Sequence, residues 1–484
     1  MRFPDLVILL LYLSGVLLVG IFITHRKKQS VEEFFTANRS MNWFTMGLSV
    51  MVTAFSAVNF TGFSGEVFSH GLYVMLSLPV FVLVAIPVNK IIIPHFYKQN
   101  YSTAYEYLER RFDKKVRILA AVLFLVWRTF WGATILYIPT KILNLVTGWS
   151  IPVIIFIVGV SVMFYTTYGG IRAVMITDAI QFFVLFFGLI VGIVSMSGMV
   201  EGGLGEIFRL GARSGLTRPF YPFDASIFSF DPTIRISFWS CTLGTFVAFL
   251  ARYSSDQMVV QRYFTARSEK DARRGFWLNV VSAIVSLTIL AVLGFLIFTH
   301  ANLNHTLGKF DKPLVYFVNF IKDLPVGVSG LMIAGLIAAT MSSIDSGSNS
   351  CTRAWIADIF EPLTGKKIDL KSTRLFSILF GFIIVVMSLY VGKLGSIFEI
   401  ANKIVNGFGS PLLALFLLGK FTPKVPAKVV LYGGIIGAIF SAFTSLFVKN
   451  LALHYYAVVN LAGTILIILL IYCVGKIQSY FQKY

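Results

Sequence analysis

Apolar blocks long enough to cross a bilayer recur along the whole chain, and no other feature restricts its fold as tightly. Roughly 20 apolar residues span the hydrocarbon core as a helix. Such blocks run Pro4–Thr24, Trp43–Phe68, Gly71–Phe96, Val116–Val146, Ile151–Tyr168, Ala173–Met199, Ile234–Met258, Gly275–Thr299 and Gly327–Phe360. Four more follow at Leu375–Val391, Ser396–Leu418, Val429–Val448 and His454–Gly475. The expected fold is an all-α polytopic membrane protein of about 13 transmembrane helices, in a single membrane domain. Only 13% of residues are charged, about half the share of a soluble chain, which excludes soluble, disordered and disulfide-scaffold classes. Cys241, Cys351 and Cys473 stand far apart in apolar stretches and read as small buried hydrophobes.

The excess of 41 basic over 22 acidic residues gives +19. It flanks the apolar blocks, so it speaks for membrane orientation rather than nucleic acid. The first block is followed by the cationic stop His25–Lys28. It is too long for a signal-peptide core and is kept as a helix with the N-terminus outside. Alternation then places about 25 Lys/Arg inside and about 11 outside, the bias expected of cytoplasmic loops. The C-terminus falls inside. The segment Glu201–Thr233, with Pro219, Pro222 and Pro232, is expected outside as a loop with short helical pieces.

Two blocks are wrong for mere anchors. The second contains Thr53 to Glu66, with Gly62, Gly65, four hydroxyls, Asn59 and Glu66. That composition loosens a helix, and an unwound stretch frees carbonyls that must bond protein, water or an ion. Close helix packing through small residues is the other reading. In the ninth block, positions 339, 342, 343, 346 and 350 fall along one helix stripe, all but Ala339 hydroxyl-bearing. Neutral hydroxyls facing free carbonyls suit a weakly held monovalent cation; a divalent ion wants several carboxylates. Serine back-bonding to its own helix is the alternative. Asp178, Asp256, Asp345 and Arg128 are ionisable at depth, where each charge costs about 2.5–3.5 kcal/mol and calls for a function or a partner. Asp178 and Asp256 could snorkel to the cytoplasmic surface. Arg128, near mid-bilayer, requires either an internal carboxylate such as Asp345 or a carboxylate on a solute.

Four motifs carry a resemblance: Ser102-Thr103-Ala104-Tyr105-Glu106-Tyr107-Leu108-Glu109 with Arg111-Phe112; Tyr168-Gly169-Gly170-Ile171-Arg172-Ala173-Val174 with Thr177-Asp178; Asp256-Gln257 with Val260-Gln261-Arg262-Tyr263; and Gly330 through Ser350. Over essentially its whole length the chain resembles the sodium/solute symporter family. The resemblance implies two inverted five-helix repeats with broken first helices: a leading helix 4–24, repeats 43–199 and 234–418, and trailing helices 429–475. The Leu243-Gly244-Thr245 and Tyr253–Asp256 stretches mark the second break. It further implies a sodium site from the carbonyls of Val52, Phe55 and Ala339 and the side chains of Ser342 and Ser343. A second sodium in some members uses positions matching Asp178, 345 and Ser346; here Asp345 replaces a hydroxyl. Candidate solute contacts are Ser56, Asn59, Arg128, Trp131, Trp239, Asp256, Gln257, Asn402 and Asn406, nearest to the iodide, monocarboxylate, vitamin and sialic acid branches.

The implied activity is sodium-coupled symport by alternating access in the plasma membrane, importing a small organic solute such as a carboxylate or sugar acid. One charge falling through 100 mV gives about 2.3 kcal/mol and a tenfold gradient about 1.4. Proton coupling on the same fold, or a channel or sensor, are the alternatives. An enzyme is not expected: His25, His70, His95, His300, His305 and His454 all lie at span ends or in loops, and no phosphate-binding loop occurs. The expected partners are the solute, sodium ion and the lipid bilayer.

Overall fold

A computed structural model describes the backbone of residues 1–24, 30–99, 101–392, 397–449, 451–452 and 454–481. The cationic stop at 25–28 and the Asn402 side chain lie outside the described residues. The architecture is all-α, and every apolar block of the sequence corresponds to helix. Nine helical runs among the described residues are long and apolar enough to cross a membrane, and the shorter Trp43–Ala54 and Val405–Phe421 are also apolar. The fifth and sixth spans form one 49-residue helix, Ile151–Met199, bent where Gly170 takes φ 59° and ψ −164°. That positive φ is why the Gly169-Gly170 motif stands there. The segment Glu201–Thr233 carries the expected short pieces, Gly203–Arg213 and Ala225–Phe228.

Both expected helix breaks exist, each inside a stretch the sequence marks, Thr53–Glu66 and Tyr253–Asp256, and neither falls at a glycine. The second span runs Trp43–Ala54, breaks at Phe55 and Ser56 in extended conformation, and resumes as Ala57–His70. Gly62 and Gly65 lie inside the second piece, so the restart is fixed by capping rather than by flexibility. The Ser56 hydroxyl accepts from Val58 N at 3.2 Å, and Asn59 Oδ1 accepts from Ser56 N at 3.1 Å. The seventh span runs Phe238–Ser254, and Asp256 caps its continuation Gln257–Thr265 by accepting from Met258 N at 3.0 Å. Leu243-Gly244-Thr245 stays helical. Gly244 serves close approach instead: a Cβ there would meet the His454 carbonyl at 2.0 Å.

The ninth span, Val328–Ala354, is the centre of the molecule, with every residue from Met332 to Thr352 buried. The leading helix Phe3–Thr24 ties to its start, because Asp5 Oδ1 accepts from Gly327 N at 2.7 Å and Gly330 N at 3.2 Å. The second and eighth spans cross glycine on glycine. A Cβ on Gly47 would lie 2.5 Å from the Gly275 carbonyl, and one on Gly275 would lie 2.6 Å from the Trp43 carbonyl. Gly275→Ala should therefore cost about 1–3 kcal/mol of overpacking, read as a lowered melting temperature in detergent. An unchanged melt would show that this crossing is looser than described.

Candidate functional site

The break in the second span faces the hydroxyl stripe of the ninth. Ser56 N bonds Asn59 Oδ1 and Asn59 N bonds the Ser56 carbonyl at 2.9 Å, so the Phe55 carbonyl loses its regular helical donor, while the Val52 carbonyl accepts from Phe55 N at 3.2 Å. The Ser343 hydroxyl stands 3.3 Å from the Thr53 carbonyl and 3.2 Å from the Ala339 carbonyl. Ser342 turns to Asp178, the Ala339 contact lies within Ser343's own helix, and the bond that links the two spans runs from the Ser343 hydroxyl to Thr53. Its carbonyl was not singled out in the sequence because backbone donors leave no residue-type signature.

Asp178 does not snorkel. It is fully buried, its Oδ1 accepts from Ser342 Oγ at 2.5 Å, and its Oδ2 accepts from Ser49 Oγ at 2.5 Å and Arg262 Nη2 at 3.1 Å. Ser346 Oγ stands 3.1 Å from Thr53 Oγ1 and accepts from Arg262 Nη2 at 2.5 Å. Asp345 does not meet Arg128. Its Oδ2 accepts from Tyr165 OH at 2.5 Å and its Oδ1 from Ser346 N at 2.5 Å.

A partly enclosed cavity lies beside the break. Phe55, Asn59, Trp131 and Asn406 line it, together with Phe249, Arg252, Tyr253 and Asn279 from the seventh and eighth spans. Five candidate contacts, Ser56, Arg128, Trp239, Asp256 and Gln257, do not line it. Ser56 is spent on the helix cap described above. Arg128 is 3% exposed and pairs with the fully buried Asp256, Nε to Oδ1 at 3.0 Å, with a second, shorter contact from Nη2 to Oδ2. Gln257 Oε1 accepts from Ala104 N at 2.8 Å, and Tyr105 OH donates to the Ser255 carbonyl at 3.1 Å, so the Ser102–Tyr105 motif staples the second break. Trp239 stacks on Phe230 at 4.8 Å and donates its indole N–H to the Phe228 carbonyl at 3.0 Å, away from the cavity.

Arg252 was missed, although an arginine one turn before Asp256 in an apolar span is a signal of the kind that drew attention to Arg128. Its Nη1 reaches the Ala54 carbonyl at 3.5 Å and its guanidinium lies 5.6 Å from the Phe249 ring centre. Among the described residues no carboxylate pairs with it. Asn279 was missed too; its Nδ2 donates to Tyr253 OH at 3.4 Å.

Comparisons with known proteins bear on the family and the fold. The mouse sodium-coupled monocarboxylate transporter 2 is 28% identical over 88% of this chain and 69% of its own length. The rabbit sodium-dependent multivitamin transporter is 30% identical over 91% and 69%. The sodium/sialic acid symporter NanT of Aliivibrio fischeri is 28% identical over 95% and 90%. Among solved structures, a substrate-bound, outward-open Na⁺-coupled sialic acid symporter superposes with a TM-score of 0.87 at 25% identity, covering 96% of this chain and 97% of that one. These relatives are transporters, not enzymes, and the coupling ion is sodium. Residues 34–437 match the sodium:solute symporter family, and with two broken helices packed around one hydroxyl stripe the chain belongs to that family.

Proposed function

We propose that this symporter imports a small organic carboxylate with sodium across the plasma membrane, the ion sitting at the break of the second span and the solute in the adjoining cavity. The observation that carries the reading is the bond from the Ser343 hydroxyl to the Thr53 carbonyl at the break, beside a cavity walled by Phe55. Neutral oxygens at such a locus hold a monovalent cation weakly enough to release it. The ligands are the carbonyls of Val52, Thr53, Phe55 and Ala339 and the hydroxyls of Ser342 and Ser343. Sodium bridging the two elements favours one arrangement of the broken helix against the ninth span, and its departure releases that preference.

The carboxylate reading rests on Arg252, a cation in the cavity wall, with Asn59, Trp131 and Asn406 as neighbouring contacts. It favours an anion over a neutral sugar. The charge asymmetry of the loops supports an outside N-terminus and an inside C-terminus. The two breaks support the division into repeats at 43–199 and 234–418.

Ser343→Ala removes one ligand. At about 1–2 kcal/mol per lost bond, the sodium concentration for half-maximal uptake into proteoliposomes should rise about 5- to 30-fold, with the melting temperature retained. Unchanged sodium dependence in both Ser342→Ala and Ser343→Ala would remove the site.

A further inference from the structure

Leu250 and Ser254 of the seventh span turn away from the cavity that Phe249, Arg252 and Tyr253 line, and they border a separate groove. Its other walls are Pro87 and Ile91 of the third span and Leu413 and Leu417 of the eleventh, Ile397–Phe421. The third span carries a π-helical turn here, Val88–Ile92, between Pro87 and Pro94. Such widened turns recur at functional sites. Ile91 and Phe421 are exposed, so the groove opens on the apolar outer surface.

The polar groups of the groove gather at one end. Lys420, exposed at the end of the eleventh span, lines it with His95 and Tyr107. Tyr107 is 8% exposed, and neither its hydroxyl nor His95 Nε2 has a hydrogen-bond partner among the described residues. Buried polar atoms in that condition are rare and ask for an explanation. The two rings meet edge to face at 4.9 Å, and a Cβ on Gly419 would lie 2.8 Å from the Tyr107 hydroxyl, which places the hydroxyl beside Lys420. Lys420 and Tyr107 donate, and His95 Nε2 donates in one tautomer. Arg111 is spent nearby, its Nε donating to the Gly419 carbonyl at 3.1 Å and its Nη2 to the Thr422 carbonyl at 2.8 Å. It satisfies the end of the eleventh span and leaves Lys420 to a different acceptor.

We propose that this groove binds one anionic phospholipid, with an acyl chain between the third and eleventh spans and the phosphate received by Lys420, Tyr107 and His95.

Two features select that occupant. The apolar walls suit a hydrocarbon chain, and the end of a span sets Lys420 at the depth of the headgroups. Among the described residues that line the groove there is no Asp or Glu to receive the ammonium of a zwitterionic head, while a net negative head meets Lys420. The chain would touch Ser254, the last helical residue before the second break, and so support that break from behind.

Native mass spectrometry of the purified, delipidated full-length chain, titrated with dioleoylphosphatidylglycerol or dioleoylphosphatidylcholine, tests this without solute or sodium. The wild type should hold one phosphatidylglycerol and bind it about fivefold more tightly than phosphatidylcholine. Lys420→Gln, at an exposed position, should lose about fivefold in phosphatidylglycerol affinity, the share of one lysine at an anionic surface, and with it the preference. Tyr107→Phe keeps the ring against His95 and should weaken phosphatidylglycerol several-fold, with an unchanged melt in lipid-free detergent. Leu417→Trp fills the groove and should remove both lipids; should it fail to fold, Lys420→Gln decides. Equal affinity of the wild type for the two lipids, or unchanged phosphatidylglycerol binding in Lys420→Gln, would overturn the proposal. Inorganic phosphate that displaces the lipid at equal concentration would show an anion site without a chain, and oleate binding as tightly as phosphatidylglycerol would show a fatty-acid site; either result overturns it as well.

Discussion

Arg128→Gln should leave little folded protein. Arg128 and Asp256 are 3% and 0% exposed and pair through two contacts, so deleting the arginine strands a carboxylate in the interior. Breaking a buried pair by removing one partner costs about 3–5 kcal/mol, a large share of the stability of a typical protein. The stranded group also sits at a sensitive place. Asp256 caps Gln257–Thr265 through Met258 N, and the pair joins the fourth span to the second broken helix. Size-exclusion traces and melting curves in detergent should show a collapsed or strongly destabilised Arg128→Gln. Adding Asp256→Asn should recover much of the loss, because an asparagine still caps the helix and no charge remains unpaired. A lone Arg128→Gln that melts with the wild type would show that the pair contributes nothing to the fold.

The same pair marks how far the sequence could be read. An arginine about 12 residues into a span announces that it has a partner, and the sequence named the two classes of partner correctly. It could not name Asp256, because the two residues are 128 positions apart and only packing brings them together. For Asp178, snorkelling stayed open in the sequence for a related reason. One turn inside a span is compatible with snorkelling, and what overrides it is the convergence of Ser49, Ser342 and Arg262 from three other helices.

The spans themselves were legible because hydropathy over 20 residues is a local property. The break positions were legible only as stretches, Thr53–Glu66 and Tyr253–Asp256, and not as single residues. Glycines and hydroxyls signalled loosening over Thr53–Glu66, but the restart depends on a capping box of Ser56 and Asn59, a pair whose role appears only once the chain is known to turn there. Trp239 and Gln257 failed as solute contacts through the same blindness. Family position brought each near the broken seventh span, while the actual side chains are spent on Phe228 and Ala104. Motif matching finds the helix; the residue's partners decide the role.

Arg252→Gln should spare the fold and sodium binding while removing recognition of the solute's charge. Unlike Arg128, Arg252 meets no carboxylate among the described residues, and its bond to the Ala54 carbonyl is a long 3.5 Å, so its loss strands nothing. Hydrogen bonds to charged groups contribute about 1.5–3 kcal/mol, which predicts a fall in apparent affinity of roughly 10- to 150-fold for a carboxylate. A panel of short monocarboxylates and their amides, tested as competitors of sodium-driven uptake, gives the control. Acids should compete in the wild type and their amides should not, and Arg252→Gln should erase the difference. Equal half-saturation in variant and wild type would remove Arg252 from the site. The charge also alters the energetics. One sodium carried with one monocarboxylate moves no net charge, so the membrane potential does no work on the pair. Each tenfold sodium gradient then supplies about 1.4 kcal/mol and supports about tenfold accumulation, against the several-hundred-fold that a neutral solute could reach with an added 100 mV. Under such one-to-one coupling, uptake that is indifferent to an imposed potential and lost in Arg252→Gln would tie the anion and the arginine into one mechanism.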